Sequence, residues 1–339
     1  MSRRLLQIGI LSSAIGIVLL LAFSVFAPST AGDPGPLRTL MAALSAPRAD
    51  PTDPDGASYV VDLPLGLPRS PAAPWHVALQ VGHLDANRLP PEQAHLQDDD
   101  GAFAPGYKEA DVNHAIADLA AADLRRAGVT VDVLPATVPP GLSVDAFVAI
   151  HADGSTNPGS RGWKIATPWM TSEASRLLEA EVAAAYAQGS GLPEDRYGVS
   201  YFMKGYYAFN WRRYRHAIAP TTPAAIIETG FLTSPADREV IVKDPGRVAH
   251  AIASGIILFL SKSASLPPVA FVPKVYPPLA VAKDGAPLRL APGEGERISR
   301  RLDLGTALRV FDEENGWVEV MVWGDYRVFG WVNESDLRI

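Results

Sequence analysis

Four residues combine side chains that bind metals or move protons with positions at the ends of predicted structural elements. His83, His151 and Glu228 each lie at the carboxyl end of an apolar segment, and Glu109 begins a helix-like segment. Two imidazoles and one carboxylate form a ligand set suited to catalytic zinc, which keeps a fourth position for water. A further carboxylate nearby could act as a general base toward that water. The residue types are therefore compatible with a Zn²⁺ site.

Each of these residues also has a simpler interpretation. A lone histidine at a strand end is usually a hydrogen-bonded loop residue, and a glutamate that opens a helix is favoured there by the helix dipole. Glu228 is harder to explain in this way because its neighbours are apolar, in the run Ile226-Ile227-Glu228. Burying an unpaired carboxylate costs several kcal/mol, so this charge implies a partner. On the residues alone, the metal site and the structural interpretation both stay open.

The elements that must position these residues alternate along the chain between positions 75 and 263. The strand-like segments are 76–81, 129–134, 145–151 and 224–228, and the helix-like segments are 109–126, 172–187 and 245–261. This alternation predicts an α/β domain, with a twisted, mostly parallel sheet and helices on both faces. Open α/β sheets place ligand sites beyond the carboxyl ends of their strands, which would bring the four residues to one edge.

The order of these motifs resembles the zinc-dependent N-acetylmuramoyl-L-alanine amidases, a family of cell-wall enzymes. The similarity extends over about residues 76–262, and its most specific parts are DAFVAIHADG (145–154) and PAAIIETGFLTSPADREVI (223–241). The resemblance implies that His83, Glu109 and His151 are zinc ligands and that Glu228 is the catalytic acid/base. It also implies peptidoglycan as the substrate, cut at the amide bond between N-acetylmuramic acid and L-alanine of the stem peptide.

Some residues depart from the family's pattern. The first ligand stands in Gly82-His83-Leu84-Asp85 rather than in an Asp-Pro-Gly-His-Gly-Gly loop, and Asp153 takes the place of a common asparagine. The loop 88–106 is long and unusual, so substrate preference does not carry over. Two alternatives therefore stay open: a related zinc peptidase or carboxypeptidase, and a non-catalytic wall-binding protein with a degenerate site.

A segment after the second predicted helix is rich in aromatic and basic residues, between positions 205 and 216. Arg212, Arg213 and His216 are candidates for substrate binding there. Arginines pair with peptide carboxylates, and aromatic rings can stack on sugars. The same composition also fits an ordinary segment packed on the sheet.

The last part of the chain, residues 281–339, predicts a small all-β domain. Apolar residues alternate at period two and are separated by glycine, proline and Asn315-Gly316, which is typical of short antiparallel strands. The pattern, with Gly316-Trp317 and Gly330-Trp331-Val332, is similar to the bacterial SH3-like domains of cell-wall enzymes. That resemblance implies a barrel that binds the wall or its peptides. A proline-punctuated linker, 264–280, precedes it.

The first 74 residues predict export. Residues 5–27 are apolar and uncharged, long enough to span a hydrocarbon layer of ~30 Å. Arg3 and Arg4 favour a cytoplasmic N-terminus, and the Ser29–Ala31 stretch resembles a signal-peptidase site. We interpret 1–31 as a signal peptide or a membrane anchor, so the protein would be secreted or membrane-anchored in the cell envelope. Residues 32–74 contain nine prolines and predict an extended linker.

Composition excludes several classes of protein and site. The 339-residue chain has no cysteine, which excludes disulfide scaffolds, thiol nucleophiles and cysteine-ligated metals. Any metal site must use the seven histidines and the carboxylates. The net charge of −7 and the absence of a Lys/Arg-rich block exclude nucleic acid as a partner. Nothing in the composition predicts an oligomeric state.

Overall fold

The structure, a computed structural model, describes residues 74–339. The predicted signal or anchor (1–31) and the predicted proline-rich linker, up to residue 73, lie outside the described residues. Within 74–339, no helix combines the length and the apolar character that a membrane span requires.

The central sheet is built from strands with predominantly apolar sequences. The strands of this part of the chain are β1 (His76–Val81), β2 (Phe103–Ala104), β3 (Tyr107–Lys108), β4 (Thr130–Leu134), β5 (Ala146–Asp153), β6 (Lys164–Ala166) and β7 (Ala224–Phe231). The sheet order is β4-β1-β5-β7-β6, with every pair parallel except β6 and β7. β2 and β3 form a separate hairpin. The predicted mostly parallel sheet is confirmed.

Three long helices cover one face of this sheet. The helices are α1 (Glu109–Arg126), α2 (Glu173–Ser190), α3 (Tyr201–Lys204), α4 (Pro235–Ile241) and α5 (Pro245–Ser263). α1, α2 and α5 share one buried apolar cluster with alternate strand residues such as Leu79, Val148 and Ile227. Because side chains alternate between the faces of a strand, the intervening residues face the opposite side.

Among residues 74–339, the opposite face is covered by short helices rather than by long ones, so the predicted helical cover is uneven between the two faces. Phe147, Ala149 and Ile226 pack there against Met203 and Phe209, which come from α3 and from a one-turn 3-10 helix. The segment that covers this face lacks an apolar repeat of helical period, so aromatic rings fill the space instead. His151 and Glu228 share the strand parity of this thinly covered face.

The C-terminal strands form a second, antiparallel sheet that we call the C-terminal half-barrel. Its strands are β8 (Leu279–Val281), β9 (Ala286–Arg289), β10 (Ile298–Leu302), β11 (Ala307–Glu314), β12 (Trp317–Val322), β13 (Asp325–Asn333) and β14 (Leu337–Arg338). They lie in the order β10-β9-β13-β12-β11-β8-β14. Val281, Leu288, Val320 and Val332 are fully or almost fully buried between them. Trp317 is also buried, which supports a structural role for this ring.

The predicted second linker is not a free tether in this structure. Residues Pro268–Phe271 form a 3-10 helix, and Ala270 and Phe271 pack against Ala174 of α2. Downstream, the backbone N–H of Lys274 donates to the carbonyl of Thr171. The linker is therefore held along the central domain before the half-barrel begins.

Candidate metal centre and active-site cavity

The structure brings together the three predicted metal ligands. His83 Nε2 lies 3.6 Å from Glu109 Oε1, and His151 Nδ1 lies 3.0 Å from the same oxygen. One ligand-type atom from each of the three residues lies within 4.8 Å of the other two. The cluster forms where β1 and β5 end and α1 begins, as expected for the carboxyl edge of an open α/β sheet.

The donor atoms fit a zinc ion in chemistry and in spacing. Zinc in proteins takes imidazole nitrogen and carboxylate oxygen at about 2.0–2.1 Å in tetrahedral geometry, which places neighbouring ligand atoms about 3.3 Å apart. The observed separations from Glu109 Oε1, 3.0 and 3.6 Å, fall on either side of that value. Two histidines and one glutamate would leave a fourth position for water or substrate.

Glu109 is held as a carboxylate by its surroundings. It lies in the first turn of α1 and is buried. Its Oε2 accepts from the backbone N–H of Ala102 at 2.6 Å, and its Oε1 accepts from Asn113 Nδ2 at 3.1 Å and from the N–H of Ala152 at 3.2 Å. Burial alone would raise the pKa of Glu109, but the hydrogen bond from His151 and the charge of the neighbouring imidazoles outweigh it and lower the pKa to about 2.

Hydrogen bonds on the far side of each imidazole orient the two histidines. His83 Nδ1 lies 2.9 Å from the carbonyl oxygen of Asp99, so Nδ1 is the donor in this hydrogen bond and Nε2 is the ring nitrogen that could bind a metal. His151 Nε2 lies 3.0 Å from the hydroxyl of Tyr206. Such outer partners fix the tautomer and the ring direction of metal-binding histidines.

Backbone conformation also marks this site. His83 has φ of 62°, in the left-handed region that non-glycine residues rarely adopt and that recurs at functional sites. Gly82 and Gly101 pack directly on the cluster. A Cβ atom at Gly82 would lie 2.4 Å from His151 Cε1, and one at Gly101 would lie 2.4 Å from Glu109 Oε2. Only a residue without a side chain fits at either position.

Glu228 lies beside the cluster and lines the same cavity. In the sheet register it pairs with His151 on β5 and with Lys164 on β6. Its Oε2 is buried and has no hydrogen-bond partner among the described residues. Burial, followed by repulsion from Glu109 and Asp153, raises the pKa of Glu228 well above its usual range, and the charge of Lys164 opposes that rise. The carboxyl group of Glu228 therefore binds a proton more strongly than that of Glu109.

Sequence patterns do not predict Lys164, a buried cation in this cavity. Its Nζ forms ion pairs with the carboxylates of Asp153 and Asp195, the second at 3.1 Å, and lies 4.6 Å from the ring centroid of Phe231. Lys164 is only 6% exposed. A lysine between Trp163 and Ile165 is a weak signal, because β6 is too short to show a period.

The cavity is large enough for an extended substrate, with a volume of about 710 Å³. Of the three predicted substrate-binding residues, Arg213 lines it. The Arg212 guanidinium lies over the ring of Trp211, 5.1 Å from its centroid. His216 Nδ1 instead pairs with Glu92 Oε1 at 2.8 Å. The structure therefore brings only Arg213 of these three to the cavity.

A family model matches part of the central region. Residues 92–257 match the family model described as N-acetylmuramoyl-L-alanine amidase, a stretch just under half of the chain. The match supports an amidase domain of this kind and contains Glu109, His151 and Glu228. His83 lies before it. No curated relative matches the chain.

Solved structures of amidases are similar to the chain over part of its length. An N-acetylmuramyl-L-alanine amidase from Mycobacterium smegmatis is 20% identical, with a TM-score of 0.41, and the alignment covers 56% of this chain and 98% of that one. An N-acetylmuramoyl-L-alanine amidase from Clostridium difficile 630 is 20% identical, with a TM-score of 0.40, covering 55% of this chain and 97% of that one.

Proposed function

We propose that this protein hydrolyses peptidoglycan at the amide bond between the lactyl group of N-acetylmuramic acid and L-alanine of the stem peptide, with Zn²⁺ as its cofactor. The observation that carries the proposal is the convergence of His83, Glu109 and His151, whose ligand-type atoms lie within 4.8 Å of one another, beside Glu228 in one cavity. The family match over residues 92–257 supports the substrate class.

Zinc bound by these residues would polarise the scissile carbonyl and make water more acidic. In the proposed mechanism Glu228 accepts a proton from water as the water oxygen bonds to the carbonyl carbon. Glu228 then donates that proton to the amide nitrogen as the C–N bond breaks. The products are a carboxylate on the lactyl group and a free amine on L-alanine.

The surroundings of Glu228 support this acid/base role. Because its Oε2 has no partner among the described residues, that atom is available to a water molecule or to a departing amine. A raised pKa makes the ionised carboxylate of Glu228 a stronger base toward water and extends the pH range in which its protonated form can act as an acid. Glu109, whose pKa is lowered to about 2, remains ionised and suits the ligand role.

The remaining parts of the chain fit an enzyme of the cell envelope. We propose that residues 1–31 direct export, as a cleaved signal or a retained anchor, and that 32–74 act as a spacer. Residues 75–263 would form the zinc amidase domain, and 264–280 would connect it to an SH3-like domain, 281–339, that contacts the wall.

The test is a digest of purified peptidoglycan with analysis of the products by mass. Wild-type protein is expected to release stem peptides with a free L-alanine amine and to leave peptide-free muramic acid. Glu228→Gln is expected to retain zinc and to lose activity by about 10²- to 10⁴-fold. Glu173→Gln, at an exposed helix position, is the matched control and should act as wild type.

Two results would contradict the proposal. If Glu228→Gln digests peptidoglycan as fast as wild type, Glu228 is not the acid/base. If cleavage falls between two amino acids of the stem peptide, the protein is a zinc peptidase rather than an amidase.

A further inference from the structure

One side chain of the C-terminal half-barrel lines the candidate active-site cavity. Tyr326, near the start of β13, borders the same space as His83, His151 and Glu228. On the central domain, Tyr201 and Phe202 of α3 border it as well. We call Tyr201, Phe202 and Tyr326 the aromatic rim. The proposed chemistry uses none of the three.

The half-barrel is fixed to the central domain by buried charges. Lys204 Nζ lies 2.6 Å from Glu319 Oε2, with both side chains at least nine-tenths buried. Arg176 forms a second ion pair with Asp312. Separating the two domains would leave these charges without partners, and removal of one partner from a buried ion pair is strongly destabilising. The half-barrel therefore holds Tyr326 at a set position relative to the catalytic residues.

Packed rings fix the rim further. The ring centroids of Phe202 and Tyr326 lie 5.2 Å apart at an interplanar angle of 66°, and those of Tyr201 and Tyr326 lie 6.0 Å apart at 34°. Tyr201 also packs against Phe311 of β11 at 6.1 Å. Phe202 nevertheless remains 62% exposed. Together the three rings form one contiguous, partly exposed aromatic patch, and such a patch is typical of a binding surface.

We infer that the aromatic rim is a subsite for a sugar ring of the peptidoglycan glycan strand, an inference that rests on the proposed function. Aromatic rings combine a flat apolar face with, in tyrosine, a hydroxyl at the edge, which matches the C–H face and the hydroxyls of an uncharged pyranose. The three rim side chains carry no formal charge. The stem peptide presents carboxylates, for which Arg213 on another segment of the cavity wall is the better partner.

This assignment gives the half-barrel a part in substrate binding at the scissile bond. The substrate it favours is a stem peptide still attached to its sugar. A lactyl-peptide has the same amide bond without the sugar ring, so it would not contact the aromatic rim.

The experiment compares these two substrates in the full chain. Tyr326→Ala and Phe202→Ala are expected to raise KM for the muramoyl-peptide about tenfold with kcat within about twofold. Neither change should alter KM for the lactyl-peptide. Tyr326→Phe keeps the ring and should bind nearly as wild type. The matched control is Trp323→Ala, an exposed aromatic residue of the same half-barrel that lies outside the rim.

The outcomes separate this inference from the proposed function. An equal rise of KM for both substrates, or no rise for either, would overturn the sugar subsite while leaving the amidase activity in place. Calorimetric titration with a peptide-free glycan oligosaccharide measures the affinity of the subsite for sugar without any catalytic step. If wild type cleaves neither substrate but binds this glycan about tenfold more tightly than Tyr326→Ala, the subsite stands and the proposed function fails. Equal glycan binding by the two proteins would overturn the subsite.

Discussion

Replacing Gly82 by alanine tests whether the metal centre depends on close packing behind its ligands. The added Cβ would lie 2.4 Å from Cε1 and 2.6 Å from Nε2 of the His151 ring, whereas ordinary contacts begin at 3.4 Å. The ring must therefore move by about 1 Å. Metal–ligand distances tolerate deviations of only about 0.2 Å, and a displacement of about 1 Å commonly costs about 10²-fold in activity.

We expect Gly82→Ala to lower zinc affinity and amidase activity by at least about 100-fold, although every ligand residue is unchanged. Overpacking should also lower the free energy of unfolding by about 1–3 kcal/mol. Zinc affinity is measured by competition with a chromophoric chelator, and circular dichroism shows whether the variant folds.

The matched control for this prediction is Gly246→Ala. Gly246 lies near the start of α5, where a Cβ atom would meet nothing within 4 Å. This variant should bind zinc as wild type does and should be as stable or slightly more so. If Gly82→Ala binds zinc with wild-type affinity, the position of the His151 ring does not depend on the absence of a side chain at residue 82.

Two further predictions concern groups around the site and between the domains. Tyr206→Phe removes the hydroxyl 3.0 Å from His151 Nε2 and should lower zinc affinity about 10- to 100-fold, with an unchanged affinity contradicting the orienting role. Burial, together with Glu319 and Asp312, raises the pKa of Glu179 to about 7 from 4.5. Since the folded pKa is the higher one, the free energy of unfolding falls as pH rises from about 4.5 to about 7, by about 3 kcal/mol. Glu179→Gln should flatten this dependence in urea unfolding series between pH 5 and pH 8, and an equally steep dependence in the variant would show that another group is responsible.

Local sequence patterns predict much of the central domain. The strand His76–Val81 and the helix Glu109–Arg126 have their predicted bounds. A run of apolar residues ending at a glycine defines the first, and a glycine soon after the last turn ends the second. Strand β6 (Lys164–Ala166) escapes prediction because three residues show no period. Its place depends on pairing with β7, which is distant in sequence.

The candidate site also contains residues that local patterns predict and residues that they do not. Polar residues at strand ends are expected to meet at one sheet edge, which makes His83, His151 and Glu228 candidates for the site. Lys164 could not be selected, because its ion pairs join segments that are far apart in the chain. Tyr326 could not be selected either, since its position depends on how the half-barrel packs against α3. Sequence patterns indicate the type and the ends of each helix or strand. The contacts of Lys164 and Tyr326 depend instead on tertiary packing between elements that are distant in sequence.

The central claim is that His83, Glu109 and His151 hold a zinc ion. The most direct test is the zinc X-ray absorption spectrum of the purified full chain. We predict about one zinc per chain with nitrogen and oxygen ligands only, at about 2.0–2.1 Å, and imidazole scattering that weakens when His151 is replaced by alanine. A protein that retains no zinc, or a spectrum that is the same in His151→Ala, would contradict the account.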